Sequence, residues 1–165
     1  MTPVTVRPIT VGEAFPLRRR HLRPSLPAAS SRYAGDDHPA AIHLGAFADV
    51  RGSGKLVAVV SFLPRTEHGE ISTAVYELQG LVTVPWARNQ GIGAHLVAEG
   101  ITELISRGVS CLWCDGRTPA KSFYERLGFS AVGAEFVTPA TGPHYRFVKE
   151  LGKRANGSGE PEREV

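Results

Sequence analysis

Two glycines spaced two apart, Gly91 and Gly93, stand in the run Arg88-Asn89-Gln90-Gly91-Ile92-Gly93. An apolar stretch precedes that run and a helical pattern follows it. Without side chains at those positions a ligand can come close to the backbone, and the unpaired N–H groups that open a helix favour an anion. A phosphate-bearing ligand held at a strand–loop–helix junction is the chemistry this spacing points to, although a tight turn that binds nothing has the same local signature. Neither G-x-G-x-x-G nor a glycine-rich loop ending in Gly-Lys-Ser/Thr is present, which disfavours a nucleotide-binding α/β domain. His43 and His144 are candidate bases, because histidine titrates near neutrality. Cys111 and Cys114 form a C-x-x-C, but they lie in the apolar strand-like run VSCLWCD, where positions three apart face opposite ways. With no second cysteine pair to complete a metal site, two buried structural thiols are expected and no metal.

The chain is 165 residues long, enough for one domain that buries roughly two thirds of its unfolded surface. A formal charge of +3 and a pI near 9.1 make it mildly basic. Much of the excess lies in Arg18, Arg19, Arg20 and Arg23 beside His21, read as a solvated helix face, since no aromatic interleaving or nucleic-acid motif accompanies it. No secretory signal opens the sequence, and no apolar run approaches the ~20 residues of a membrane span. A cytoplasmic protein with neither nucleic-acid nor membrane partners is expected, and a homodimer is compatible with the sequence. The domain is placed over residues 1–151. The polar stretch 152–165 has almost no apolar side chains and is expected to be disordered.

The elements that must position these groups follow from periodicity. A first strand is expected near residues 4–9, closed at Pro8, then a helix over 11–22 that tolerates or kinks at Pro16. Residues 23–39 read as an irregular loop with one short helical turn, long enough to act as a binding lid. Strands follow over 42–47 and 55–63, a polar connection over 65–72, and a long strand over 74–84 with Gly80 inside it, the mark of a bulge or a close approach. The helix over 91–107 carries Ile92, Leu96, Val97, Ile101, Leu104 and Ile105 at helical spacing and stops at Gly108. A short buried strand over 109–114, a helix over 118–127 opened by Thr118 as cap and Pro119, and strands over 129–137 and 144–151 complete the order. A mixed, mostly antiparallel sheet with helices on both faces is the fold class implied.

Paired motifs now carry a resemblance. Val84-Pro85-Trp86-Ala87-Arg88-Asn89-Gln90-Gly91-Ile92-Gly93 resembles the acetyl-CoA-binding motif of the Gcn5-related N-acetyltransferases (GNAT), with its core Arg/Gln-x-x-Gly-x-Gly/Ala. Ala120-Lys121-Ser122-Phe123-Tyr124-Glu125-Arg126-Leu127-Gly128-Phe129 resembles the family's later AxxFYxxLGF segment. The resemblance covers about residues 4–151. A subgroup of small bacterial members looks closer still, through Gly80, Trp113, Asp37-His38-Pro39, His43-Leu44-Gly45 and the C-terminal Gly142-Pro143-His144-Tyr145.

This resemblance implies the GNAT fold, a six- to seven-stranded mixed sheet, and acetyl-CoA as co-substrate. It implies cofactor contacts from Leu81, Val82 and Thr83, whose freed backbone would pair with the pantetheine amides as an added strand does. Arg88, Asn89, Gln90, Gly91, Ile92, Gly93 and Ala94 would hold the pyrophosphate. Arg117 departs from the family's usual asparagine near the pantetheine arm, and could meet a phosphate instead. Glu77 lies at the spacing where histone-type members carry a catalytic glutamate, with His144 and His43 as alternative bases. Tyr124 matches the tyrosine given the role of acid to the leaving thiolate. The implied activity is transfer of acetyl to an amine; with no peptide-reading motif visible a small acceptor is expected, a protein N-terminus staying open, and the alternative is a non-catalytic acyl-CoA-binding sensor or scaffold.

Overall fold

A computed structural model of the chain describes residues 2–67 and 70–152. The expected tail lies, beyond Gly152, outside the described residues. The chain opens with β1 (Val4–Pro8) and α1 (Val11–His21). Thr10 starts α1 through a reciprocal capping box: its hydroxyl accepts from the Glu13 N–H while the Glu13 carboxylate accepts from the Thr10 N–H. That start holds the helix despite Pro16. A 3₁₀ turn, Ala28–Ser31, is the short helical piece in the loop that follows.

Next come β2 (Ile42–Val50), β3 (Ser53–Glu67) and β4 (Glu70–Thr83), then α2 (Ile92–Ser106), β5 (Cys111–Arg117), α3 (Lys121–Arg126), β6 (Ser130–Thr138) and β7 (Gly142–Glu150). The sheet has seven strands in the order β1-β2-β3-β4-β5-β7-β6. Its neighbours are antiparallel except β4 and β5, which are parallel because α2 carries the chain back between them. Among the described residues no helix is long and apolar enough to cross a membrane.

Three expectations need correction. Within the polar connection expected over 65–72, residues 65–67 and 70–72 are instead strand, with β3 and β4 paired from Arg65↔Ser72 to Glu67↔Glu70, because cross-strand hydrogen bonding outweighs polar composition there. Thr118 does not cap a helix; it begins a 3₁₀ turn, Thr118–Ala120, and its hydroxyl donates to Glu135. The strand expected over 109–114 runs from Cys111 to Arg117, since β7 pairs with it as far as Arg117↔His144.

Alternation sorts the side chains by face. Phe62 packs against α2, where a Cβ on Gly100 would lie 2.1 Å from its ring, and Leu78 is its partner on β4. On the opposite face Ser61 meets α1 through Arg18. Glu77 is opposite Leu63 on β3 and opposite Trp113 on β5, so Glu77, Gln79, Trp113, Asp115 and Arg117 share the α1 face. Cys114 and Gly116 point the other way, toward Tyr124 on α3. Cys111 and Cys114 therefore sit on opposite faces, as their spacing implies; Cys114 is buried and Cys111 half-buried.

Candidate active site

The ladder between β4 and β5 ends at Glu77↔Trp113, although β4 continues to Thr83 and β5 to Arg117. Beyond that point the two strands splay. Gly80 lies at the fork with a φ of +63°, where the β3–β4 register slips between Val59 and Ser61. This is the bulge that the glycine signals, and it resets the alternation. Val82 joins Val59 and Ala14 on the α1 side, while Leu81 and Thr83 come within 4 Å of a Cβ built on Gly93. An apolar wall from β4 is thereby turned under the start of α2.

A cleft of about 930 Å³ occupies the fork. On the α2 and α3 side it is lined by Leu81, Thr83, Gly93, Phe123 and Tyr124, and on the α1 side by Tyr33, Gln79, Asp115, Arg117 and His144. Its floor at the α2 end is the uncapped start of that helix. Gly91 caps the helix at φ +76°, and Asn89 is also left-handed at φ +60°. The first-turn N–H groups of Ile92, Gly93 and Ala94 have no partner inside the helix. No side chain caps α2. Arg88 donates from Nε to the Thr83 carbonyl, which ties the loop to the end of β4. Gln90 is turned away, accepting from the Thr2 N–H and donating to the Trp86 carbonyl.

Tyr124 is both core and cleft. Its ring stacks on Phe147 with centroids 4.8 Å apart and meets Phe129 and Phe123 edge-on. Burial first, then the Cys114 thiol, push the phenol well above its ordinary value, so it stays protonated. Cys114 is itself pushed up to about 12 by burial, only partly relieved by the Tyr124 hydrogen bond, which leaves its thiol inert.

The three candidate bases are placed differently. His144 is buried beside the cleft, stacked on Phe136. Its Nδ1 lies 2.7 Å from the Gly142 carbonyl, so in the neutral ring Nδ1 carries the hydrogen. The Nε2 lone pair is left 3.2 Å from the Thr141 hydroxyl, which also lines the cleft. Glu77 is buried and outside the lining, with Gln79 donating to its Oε1 at 2.5 Å and Arg65 donating to its Oε2. Burial raises its carboxyl, and Arg65 only partly offsets that. His43 does not line the cleft and is engaged by a different network.

That network centres on Arg18, which the sequence reading placed on a solvated face and the fold buries completely. Its guanidinium grips Asp36 with two hydrogen bonds, of 2.8 and 3.0 Å, and donates further to the Ser31 carbonyl and the Ser61 hydroxyl. His43 holds the Asp36 carbonyl through Nε2–H, so its Nδ1 accepts from Ser61. The ring of bonds fixes the 23–41 segment over the sheet. It also presses Tyr33, whose ring lies 4.3 Å from the Arg18 guanidinium, against Gly80. Sequence reasoning missed both Tyr33 and Asp36. An aspartate three residues after a tyrosine, its carboxylate accepting from the Tyr33 N–H, was the only local signal.

Residues 13–129, more than half of the chain, match the family model described as the Acetyltransferase (GNAT) family. The chain belongs to that family. It is therefore an acyltransferase by class. An uncharacterised N-acetyltransferase of Bacillus subtilis (strain 168), YitI, is 31% identical over 146 residues, covering 88% of this chain and 95% of that protein. Among solved structures, an aminoglycoside 6'-N-acetyltransferase complexed with coenzyme A is 17% identical with a TM-score of 0.69, covering 91% of this chain and 98% of its own. The ribosomal-protein-S18-alanine N-acetyltransferase of Escherichia coli is 18% identical with a TM-score of 0.70, covering 92% and 96%. At that identity both neighbours speak for the fold: a seven-stranded mixed GNAT sheet with helices on both faces.

Proposed function

We propose that the fork between β4 and β5 holds acetyl-CoA and that the acetyl group passes directly to the amine of a small acceptor approaching from the α1 side. The observation that carries this reading is the end of the β4–β5 ladder at Glu77↔Trp113, beside an uncapped α2 N-terminus. In this reading the backbone of Leu81, Val82 and Thr83 takes the pantetheine amides, as an added strand would. Arg88 and the loop residues Asn89, Gly91, Ile92, Gly93 and Ala94 hold the pyrophosphate, with Gln90 turned away from it, each helix-end contact contributing about 0.3–1 kcal/mol and up to ~2 where partly buried.

An amine of pKa ~10.4 is mostly protonated at neutral pH, so freeing it costs roughly 4–5 kcal/mol. His144 takes that proton at Nε2, directly or through one water, because its tautomer makes that nitrogen the ring's acceptor, with the Thr141 hydroxyl beside it. The amine adds to the thioester carbonyl, the C–S bond breaks, and Tyr124 donates its phenolic proton to the departing thiolate. Holding both substrates in one cleft supplies much of the rate. Glu77 is the second reading for the base, favoured by its raised carboxyl. Its two oxygens are already engaged by Arg65 and Gln79, which gives it the weaker access.

The test is release of free thiol from acetyl-CoA across a panel of amines, followed by pH–rate profiles of the variants. His144→Gln is expected to lower kcat by about 10²–10⁴ and to flatten the acidic limb of the profile, with Glu77→Gln retaining that limb. The reverse pattern transfers the base to Glu77. Binding of acetyl-CoA with no thiol release from any amine supports the non-catalytic acyl-CoA-binding module instead.

A further inference from the structure

On the α1 side of the cleft the charges pair off unevenly. Among the described residues Asp115, Glu77 and Asp36 face this side, and each already has an arginine. Asp115 is held by two hydrogen bonds, of 2.8 and 3.0 Å, from Arg146. Glu77 is held by Arg65, and Asp36 by Arg18. Four arginines line the cleft, Arg23, Arg88, Arg117 and Arg126; Arg23 and Arg117 stand on this side, and among the described residues neither meets a carboxylate. Arg117 donates from Nη2 to the Leu22 carbonyl at 3.3 Å, which sets its guanidinium beside the residue that precedes Arg23. Arg23 donates to the Ser30 carbonyl and lies 5.8 Å from the centre of the Tyr33 ring. Each guanidinium keeps N–H donors that these single bonds do not use.

The local field is positive as well. His21, also on the cleft wall, is held below its ordinary value by burial and by the charges of Arg20 and Arg88, so it is neutral at physiological pH. A polycation entering this side meets uncompensated arginines and carboxylates already neutralised. An anion meets two planar forks with unused donors.

We propose that the acceptor is a small amine that also carries an anionic group, a carboxylate or a phosphate, and that Arg117 and Arg23 hold this group while the amine faces the fork at Gly80. The inference rests on the acetyl-transfer reading above. It takes Arg117 from the cofactor, where its position in the motif suggested a phosphate contact, and gives it to the acceptor. The basis is its face: Arg117 shares the α1 side with Asp115 and His144, and it donates to the Leu22 carbonyl at the end of α1.

The test compares initial rates with acetyl-CoA on matched acceptors: α-amino acids, their amides, the corresponding decarboxylated amines, O-phosphoethanolamine, spermidine, an aminoglycoside and a short peptide. Acceptors with the anion are expected to exceed their amides in kcat/KM by on the order of 100-fold, because a site of unpaired donors rejects a ligand that cannot fill them. Preference for O-phosphoethanolamine over the amino acids identifies the anion as phosphate. Preference the other way identifies it as carboxylate. Arg117→Gln and Arg23→Gln should raise the acceptor KM about tenfold or more and erase the acid-over-amide preference, with the KM for acetyl-CoA unchanged and partial rescue by Arg117→Lys. Equal or better turnover of amides, spermidine, the aminoglycoside or the peptide overturns this proposal alone. So does a rise in the acetyl-CoA KM in Arg117→Gln, which returns Arg117 to the cofactor. Acetyl-CoA binding with no turnover of any acceptor overturns the transferase reading and this proposal together.

Discussion

Burial keeps the Tyr124 phenol protonated, and that state is the one a general acid needs when a thiolate leaves. The same ring is part of the core, stacked on Phe147. Replacing Tyr124 by Phe retains the ring and removes only the proton. We expect kcat to fall by about 10²–10³ with the melting temperature nearly unchanged, measured by steady-state kinetics beside thermal unfolding. A full-rate Tyr124→Phe would make the residue a core aromatic only. The C-x-x-C pair, which at the residue scale looks like redox chemistry, is separated by the sheet, with the Cys114 thiol pushed up to about 12 by burial. Its types invite the chemistry; its spacing on a strand removes it.

The elements explain why some of the site is legible in the sequence and some is not. Gly80 and Gly91 are visible because each fills a left-handed position that few other residues tolerate, so a glycine marks the backbone geometry itself. Gly93 has ordinary helical backbone, and a Cβ there would find only contacts of 3.7–3.9 Å. An aspartate at this second helical position would therefore be accepted by the fold and favoured by the helix dipole, by about 0.3–1 kcal/mol. It would also put a carboxylate where the pyrophosphate is proposed to lie. Gly93→Asp is expected to keep or raise the melting temperature while losing acetyl-CoA binding, an opposition of signs that a merely damaged fold does not produce. Arg18 was illegible for the opposite reason. Nothing local in a run of arginines says which one turns inward; Asp36, Ser61 and Ser31, far along the chain, decide it.

For the molecule as a whole, that buried pair makes stability depend on acid. Burial works against the charged Asp36, but the Arg18 hydrogen bonds, the Tyr33 N–H and the Arg18 charge outweigh it and hold the carboxyl below its ordinary value. A carboxyl lowered on folding stabilises fully above its unfolded value near ~3.9, and that contribution is lost as pH falls through the folded value. Asp36→Asn leaves Arg18 buried without its counter-charge, so a loss of roughly 3–5 kcal/mol is expected in urea unfolding at neutral pH, with a weaker dependence on pH in the acid range. An unchanged unfolding midpoint would show that the ion pair does not hold the 23–41 segment. The order of elements along the chain, the helices on both faces and a mixed, mostly antiparallel sheet were legible because hydrophobic period and connection rules constrain them strongly. The end of the β4–β5 ladder and the charge balance on the α1 side depend on contacts between distant strands, and only the fold displays them.

The central claim is that the fork between β4 and β5, under the α2 N-terminus, is the acetyl-CoA site. Isothermal titration of acetyl-CoA into the wild-type chain and into Gly93→Asp tests it most directly. Saturable one-site binding to the wild type and none to the variant is expected, with both chains equally folded. Absence of binding to the wild type, or equal affinity for the two, would contradict it.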